Sequence, residues 1–193
     1  MQNTDATNSP IERDLSVSLA WANLKSIIFA LPPVMLVFGL HVLLWGMPHL
    51  SLTTSVLLPL LGFVFVGFVL HEAIHGIAWA VWGTRSFATI KFGMNIRALA
   101  PYAHATVPMK ASAYRLGAIS PAFVLGVLPS FAGLITGNFL VTFYGMIFLA
   151  AAAGDFLVLW LIRNVPSTTL VVDHPTRAGC MVLDPDPPVG GRP

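Results

Sequence analysis

Long apolar segments dominate the chain and leave few positions for charged residues. Asp, Glu, Lys and Arg are absent between Lys25 and Glu72, and again between Arg115 and Asp155. Each of these two intervals is long enough for two helices that cross a bilayer, since one such helix needs about 20 apolar residues. We therefore predict four transmembrane helices, at about residues 27–45, 52–82, 116–135 and 139–162.

Turn-forming residues mark the point where each interval divides into two helices. Gly46-Met47-Pro48-His49 separates the first pair, and Gly137-Asn138 separates the second pair. Several prolines lie inside the predicted helices, where a soluble helix would be broken. Membrane helices tolerate such prolines as kinks, so they do not contradict the prediction.

The loop between the second and third predicted helices, residues 86–110, has a different period. Ile90, Phe92 and Met94 alternate with smaller or polar residues, as in a strand with one apolar face. A second extended stretch follows at about 102–107. We predict a short β-hairpin against the membrane surface, whose strand edge could hold an extended peptide. A plain amphipathic loop is the alternative.

These elements predict an all-α polytopic membrane protein: four transmembrane helices with a short cytoplasmic β-hairpin-like loop between helices 2 and 3. The predicted membrane domain covers residues 24–165. A polar N-terminal segment, 1–23, precedes it, and a C-terminal tail, 166–193, follows it and becomes rich in Pro and Gly.

Composition and charge agree with a membrane location. The 193 residues are 56% hydrophobic and only 9% charged, whereas soluble domains are about 25% charged. All ten Lys and Arg lie on one side of the predicted spans, which puts both termini and the 86–110 loop in the cytoplasm. A net charge of +2 gives no indication of a nucleic-acid partner. Trp45, Trp82 and Trp160 lie near span ends, as interfacial aromatic residues do.

One polar motif interrupts the second apolar segment. It reads His71-Glu72-Ala73-Ile74-His75, which is HExxH. Residues i and i+4 share one face of a helix, so the two imidazoles can bind one zinc ion. Glu72 then lies beside them as the general base for a zinc-activated water. Charged and polar groups are costly in hydrocarbon, which favours a functional role over a structural one.

Asp155 is the best candidate for a third zinc ligand. It is the acidic residue within the last predicted span, eight residues before Arg163, while His75 lies ten residues before Arg85. These separations correspond to depths of roughly 12 and 15 Å below the cytoplasmic surface, which agree within one helical turn. Gly154 is expected to allow close backbone approach. The alternative is that Asp155 pairs with an arginine at the interface.

Other potential ligands fit less well. His41 lies near the outer end of the first span and His49 in the outer turn, at the wrong depth for His71 and His75. His104, His174 and Cys180 lie in cytoplasmic segments, so they reach the site only if those segments fold back. In that case His104 would be an extra ligand, or His174 or Cys180 would occupy the open zinc position and keep an enzyme latent. A buried, non-ligating Cys180 is the alternative.

With these residues placed, residues 55–183 resemble the DUF3267 family of zincin peptidases, small bacterial membrane proteins, and are distantly similar to intramembrane zinc metalloproteases of the site-2 protease type. The chain departs from the site-2 protease pattern around the third ligand, because Gly154 precedes Asp155 and Phe156 follows it. The following sequences carry the resemblance: HEAIHG from His71, APYAH from Ala100, Ser120-Pro121, Gly154-Asp155, and the tail from Asp173-His174-Pro175 to Gly179-Cys180.

The resemblance implies a multi-pass protein of the bacterial cytoplasmic (inner) membrane that binds Zn²⁺ and cleaves peptides or membrane proteins. The leading hypothesis is therefore an intramembrane or membrane-surface zinc metalloendopeptidase, with Glu72 catalytic and His71, His75 and Asp155 as ligands. The alternative is a non-catalytic metal-binding module that binds or regulates a membrane peptide. A proton-coupled transporter using His and Asp as relays is a third hypothesis. Self-association into a homo-oligomer is left open.

Overall fold

The structure, a computed structural model, describes residues 11–48, 53–95 and 100–183. This part of the chain is mostly helical and contains two small antiparallel sheets. The α-helices are α1 (Leu19–Trp45), α2 (Thr54–Ala78), α3 (Ala111–Pro121), α4 (Leu128–Thr136), α5 (Phe139–Ala151) and α6 (Ala153–Leu161). A π-helical segment, Trp79–Thr84, extends α2, and a second one, Ala122–Val127, connects α3 to α4.

Local signals in the sequence set several helix ends. Ser18 caps the start of α1, where its hydroxyl accepts a hydrogen bond from the Trp21 amide. Gly137 ends α4 in the left-handed conformation, with φ of 70°, and Asn138 caps α5 by accepting from the Val141 amide. Gly137-Asn138 is thus the turn that the sequence predicts.

Three helical stretches are long and apolar enough to cross a membrane, judged by length and composition: Leu19–Trp45, Thr54–Thr84 and Ala111–Thr136. Helices α5 and α6 make a fourth if they count as one span. The sequence predicts a continuous helix at 139–162, but the two helices meet at Ala152 with a bend of 41°. The prediction of one continuous helix is therefore corrected. The bend matters for the site because it puts Asp155 in the first turn of α6.

The helices expose large apolar side chains over much of their surface. Leu43 in α1 is 79% exposed and Phe65 in α2 is 70% exposed. Apolar surface on this scale is uncommon on a soluble monomer and typical of surfaces that contact lipid or another protein.

The predicted hairpin between α2 and α3 is present. Strand β2 (Ile90–Asn95) pairs antiparallel with β3 (Ala100–Ala105), and the register runs from Ile90 opposite Ala105 to Asn95 opposite Ala100. Pro101 lies within the ladder, opposite Met94. Phe92 anchors the hairpin to α2, where its ring packs directly on Gly76; a Cβ on that glycine would lie 2.2 Å from the Phe92 Cζ.

A second sheet, which the sequence analysis did not predict, joins the two ends of the chain. The strands are β1 (Ile11–Asp14), β4 (Met109–Lys110), β5 (Leu170–Asp173) and β6 (Cys180–Leu183). They lie in the order β1-β6-β5-β4 and all pairs are antiparallel. Met109, Val171 and Val182 follow one another across the sheet, and all three are buried in a core cluster that also contains Trp79.

Glycines allow the helices to approach closely, but not at the position expected. A Cβ on Gly67 of α2 would lie 2.2 Å from the Phe148 ring of α5, and one on Gly145 would lie 2.5 Å from the Ser130 backbone nitrogen. A Cβ on Gly154 would meet nothing within 4 Å. The close approach predicted at Gly154 is therefore wrong, because this glycine lies on an exposed face of α6.

Candidate active site

Three side chains from two helices meet in the interior. His71 and His75 lie one turn apart on α2, and Asp155 reaches them from the first turn of α6. One carboxylate oxygen, Oδ2, is 3.2 Å from His71 Nε2, and the other, Oδ1, is 3.3 Å from His75 Nε2. Potential ligand atoms of the three residues lie within 4.8 Å of one another. The helix N-terminus favours a carboxylate at this position.

The second ring nitrogen of His75 is fixed by a backbone carbonyl. His75 Nδ1 donates a hydrogen bond of 2.9 Å to the carbonyl of Gly117 in α3, so when the ring is neutral, as a metal ligand must be, Nε2 is its unprotonated nitrogen. Such a bond to the outer nitrogen is what orients metal-binding histidines.

The Gly117 carbonyl is available because of a proline. In an α-helix this carbonyl would accept from the amide of residue 121, but Pro121 has no amide hydrogen. The next amide, of Ala122, donates to Ile119 instead. Pro121 therefore leaves the Gly117 carbonyl without its usual helical partner, and His75 supplies the hydrogen bond.

Gly117 also brings α3 close to α2. The indole of Trp79 lies directly on Gly117, and a Cβ there would be 2.1 Å from Trp79 Cδ1. The same indole donates from Nε1 to the Tyr114 carbonyl at 3.1 Å and stacks on the His75 ring, with centroids 5.1 Å apart. Trp79 thus holds His75 from one side while Gly117 holds it from another.

The three residues fit a zinc ion. Catalytic zinc takes three protein ligands of the His and carboxylate type and keeps one position open. His71 and His75 are 6% and 4% exposed, and both direct Nε2 at the Asp155 carboxylate, so two imidazole nitrogens and two carboxylate oxygens converge in a buried place. A metal bound between these side chains would give the buried imidazoles and the two carboxylate oxygens the charge partner that their burial requires.

Glu72 lies beside this cluster and is held by the hairpin. Its Oε2 accepts a hydrogen bond of 2.7 Å from the amide of Ala103 in β3. The bond occupies one carboxylate oxygen and leaves Oε1 as the oxygen able to exchange a proton with substrate or water. The β-hairpin therefore positions the predicted general base, a role that its sequence period did not indicate.

The cluster opens into a cavity of about 680 Å³, here called the site cavity. Residues from α1, β3, α6 and the 174–179 turn surround it. A cavity of this size is within the usual range for small-molecule and peptide sites. Among the residues that line it are Leu19, Glu72, His75, Tyr102, His104, Asp155, Asp173 and His174.

The β3 edge facing this cavity offers acceptors rather than donors. The amides of Ala103 and Ala105 point away from β2, and they are taken by Glu72 Oε2 and by Asp173 Oδ2, the latter at 3.0 Å. Pro101, the next residue with this orientation, has no amide hydrogen. An extended peptide could therefore bind this edge through its own amides, but not through a complete strand ladder.

The remaining predicted residues fall into two groups. His104 and His174 line the site cavity, so the segments that carry them do fold back toward the cluster. His174 Nδ1 accepts hydrogen bonds from the amides of Thr176 and Arg177, at 3.1 and 3.0 Å, and so shapes the turn between β5 and β6. His49 lies outside the described residues.

Cys180 is not brought to the cluster. It lies in β6 with no exposed surface, packed in the core with residues such as Ala105 and Val182. Burial, and the neighbouring Asp173 carboxylate, raise the pKa of the Cys180 thiol to about 12. A thiol with this pKa is a poor source of thiolate, so the geometry gives no support to Cys180 as a latency ligand.

Asp173 is the main site residue that the sequence analysis missed. Its carboxylate accepts hydrogen bonds from the Tyr114 hydroxyl and from the Ala105 amide, and lies 3.5 Å from His104 Nδ1. It thereby joins β5, β3 and α3 around the cavity. Asp173 could have been suspected from the Asp-His-Pro sequence in the tail, whereas its contacts could not. The role of Pro121 had a readable signal, since a helical proline always leaves the carbonyl four residues earlier without its usual partner.

Comparison with known proteins supplies the family. The model of the family DUF3267, described as Putative zincin peptidase, matches residues 64–170, which is more than half of the chain. The chain belongs to the DUF3267 family. Comparisons with curated proteins and with solved structures gave no match.

Membership of DUF3267 assigns the chain to a family of zincin-type metallopeptidases, and the family's description implies zinc as the metal. The matched region includes His71, Glu72, His75, Gly117 and Asp155. It ends at residue 170, so it leaves out Asp173 and the 174–179 turn that closes the site cavity.

Proposed function

We propose that this DUF3267 protein is a zinc metalloendopeptidase that works within or at the surface of the bacterial cytoplasmic membrane. In this proposal His71, His75 and Asp155 hold the metal and Glu72 is the general base. The observation that carries the proposal is the convergence of two imidazoles and one carboxylate, within 4.8 Å, beside a fixed glutamate and an open cavity.

Zinc bound by these residues would lower the pKa of a water molecule and polarise the peptide carbonyl. Glu72 accepts a proton from the attacking water at Oε1, because Oε2 already holds the Ala103 amide. The same carboxyl group then delivers the proton to the nitrogen of the leaving amine, so the bond between carbonyl carbon and nitrogen breaks without an unstable amide anion. His75 Nδ1 keeps its proton and its hydrogen bond to the Gly117 carbonyl throughout.

A membrane location is supported by the helices. The helical stretches that pass as spans expose large apolar side chains, and Trp45, Trp82 and Trp160, near helix ends, are 45–56% exposed. Lys91 and Arg177 line the site cavity, and this supports a cavity that faces the cytoplasmic side. We infer that an unwound segment of a membrane protein, or a peptide from the cytoplasm, enters from that side.

The non-catalytic alternative, a module that only binds metal and a peptide, is less well supported. Metal binding does not require Glu72, yet the structure fixes this carboxylate beside the three ligands through the Ala103 amide. An acid without a function would be costly in such a place, because it is partly buried among apolar helices.

The test compares Glu72→Gln with Glu12→Gln, which alters the chain's one other glutamate. Both variants are purified with the wild type, reconstituted in vesicles, and measured for zinc per chain and for cleavage of a pool of membrane-protein peptides by mass spectrometry. We expect all three to bind zinc, and Glu72→Gln to cleave about 10²–10⁴-fold more slowly, the usual loss for a general base.

Two results would reject the proposal. Equal cleavage by Glu72→Gln and wild type would mean that the activity belongs to a contaminant. Zinc-loaded wild-type protein that leaves every peptide intact, with normal zinc content in Glu72→Gln, would favour the metal-binding module.

A further inference from the structure

One imidazole in the site cavity is used neither by the proposed metal nor by the proposed general base. His104 lies on β3, immediately after Ala103, whose amide binds Glu72. Lys91 pairs with His104 across the hairpin, and Tyr102 lies on the same face as His104 because side chains alternate along a strand. All three line the site cavity, which Glu72, His75 and Asp155 also line, while the opposite face of the hairpin packs through Phe92 on Gly76 of α2.

The Asp173 carboxylate faces the His104 ring. The His104 Nδ1 lies 3.5 Å from Asp173 Oδ2, and the carboxylate is itself fixed by the Tyr114 hydroxyl and the Ala105 amide. The side chains of His104 and Asp173 are 25% and 12% exposed, so the pair is partly shielded from water. Because Nδ1 faces Asp173, Nε2 is the nitrogen left to contact a substrate.

Resting on the proposed function, we propose that His104 is a further catalytic residue and that Asp173 is its positioning residue. As water attacks the peptide carbonyl, the carbonyl oxygen gains negative charge. His104 donates a hydrogen bond from Nε2 to that oxygen while its Nδ1 faces the Asp173 carboxylate. No bond to His104 forms and its protons stay on the ring; the proton lost by water passes through Glu72 to the leaving nitrogen.

The position of His104 suits this role. Its neighbour Ala103 donates a hydrogen bond of 2.7 Å to Glu72, and consecutive Cα atoms are about 3.8 Å apart. The His104 side chain therefore starts from the residue next to the one that binds the general base. Preorganised donors aimed at a developing oxyanion are usually the largest single source of catalysis. The ligand set is complete without His104, which separates this role from metal binding.

The experiment uses full-length protein with His104→Gln, His104→Ala and Asp173→Asn. The matched control is His41→Gln, which changes a buried histidine that lines a second cavity, near the opposite end of α1. Zinc content and thermal unfolding are measured first. Calorimetry then compares two probes: N-phosphoryl-Leu-Trp, whose tetrahedral anion resembles the transition state, and N-formyl-Leu-Trp, whose carbonyl is planar. Finally, kcat and KM are measured on a peptide that the wild type cleaves.

We expect zinc content to be unchanged in every variant. His104→Ala should lower kcat about 10²–10³-fold, as removal of an oxyanion donor does, with KM changed little. It should weaken binding of the phosphoryl probe by a similar factor and leave the formyl probe unaffected. Asp173→Asn should show the same pattern with a smaller loss, and His41→Gln should match wild type. A purely structural role of Asp173 would alter both probes equally.

Three results for His104→Ala would overturn the proposal. Loss of zinc would make His104 a metal ligand, an unchanged kcat would exclude a catalytic role, and equal losses of affinity for the two probes would show that His104 does not distinguish the tetrahedral anion. His104→Gln replaces the ring by a neutral donor, so the inference survives poor folding of the alanine variant. If wild-type protein cleaves nothing, the proposed function fails, and the phosphoryl probe still decides whether His104 contacts a tetrahedral anion.

Discussion

Two cavities lie near opposite ends of α1, and a buried histidine lines each of them. The site cavity, about 680 Å³, contains His75 and adjoins Leu19 at the start of α1; the other, about 470 Å³ and here called the His41 cavity, adjoins Trp45 at its end. The 27 residues of α1 separate the two ends by about 40 Å. His75 is 4% exposed and His41 is 2% exposed, so burial does not distinguish them.

Their partners do distinguish them. His41 Nδ1 lies 3.2 Å from the Thr142 hydroxyl, and its ring packs edge-on against Phe139. These contacts satisfy an ordinary core histidine. The Asp155 carboxylate faces one ring nitrogen of His75, and the Gly117 carbonyl, left free by Pro121, accepts a hydrogen bond from the other. The His71 ring is also close, with its centroid 4.9 Å from that of His75. A functional site is thus marked by convergent groups, not by one buried polar residue beside a cavity.

The largest expected effect is loss of the metal. His75→Ala removes one of three ligands and should weaken zinc binding by more than about 100-fold, beyond the range for loss of a supporting hydrogen bond. His41→Ala should bind as much zinc as wild type. Metal analysis after dialysis against a weak chelator measures both. Normal zinc in His75→Ala, or zinc loss in His41→Ala, would remove the distinction between the cavities.

A smaller loss is expected when the close contact at Gly117 is disturbed. In Gly117→Ala the new Cβ would lie 2.1 Å from Trp79, so the indole must shift and His75 loses its stacking partner. We expect zinc affinity to fall about 10–100-fold, as for other losses of a supporting contact. The control is Gly154→Ala, which lies next to Asp155 but has open space. Equal zinc affinities in the two variants would contradict the prediction.

Pro121→Ala tests the free carbonyl with a milder change. The new amide at residue 121 competes with His75 for the Gly117 carbonyl, but a carbonyl has two lone pairs and can accept both hydrogen bonds. Zinc affinity should therefore fall about 10-fold, at the low end of the range for supporting contacts. Pro59→Ala makes the same substitution in α2, away from the cluster. Zinc titration measures the affinity of both proteins. Equal zinc affinities of Pro121→Ala and Pro59→Ala would refute a role for the free Gly117 carbonyl.

The smallest effect on the metal is expected at Cys180. Burial raises the pKa of Cys180 from 9.0 to about 12, so folding favours the protonated thiol. The sign follows: this contribution to stability is complete below pH 9 and is lost as pH rises from 9 toward 12. Iodoacetamide at pH 8.5 should label unfolded but not folded protein, and Cys180→Ser should keep its zinc. Rapid labelling of the folded chain would show that the thiol reaches solvent.

Several features could be read directly from residue spacing. Two histidines four apart on a helix must share a face, and Asp155 was conspicuous because acidic residues are rare in apolar segments. The period of two at Ile90, Phe92 and Met94 correctly predicted the hairpin. In each case the pattern lies within a few helical turns or one strand, where local geometry decides the outcome.

Other features depend on residues far apart in the chain. Nothing in the sequence near Ile11–Asp14 indicates that it pairs with Cys180–Leu183, about 170 residues later. From the sequence, residues 166–193 were predicted to be a cytoplasmic C-terminal tail, and no sheet was predicted there. Only the sheet brings Asp173 to Tyr114, Ala105 and His104, since the β5–β6 pairing sets which side chains point toward the cavity.

The sequence by itself therefore determined the apolar helices, the hairpin and the donor types of the candidate metal site, because helix and strand periods are local properties. The tertiary structure decided which groups support them: the bend at Ala152 that directs Asp155, the Gly117 carbonyl bound by His75, the amide that holds Glu72, and the Asp173–His104 pair. These contacts join separate elements, and their geometry depends on how close the helices and sheets pack, which no local pattern specifies.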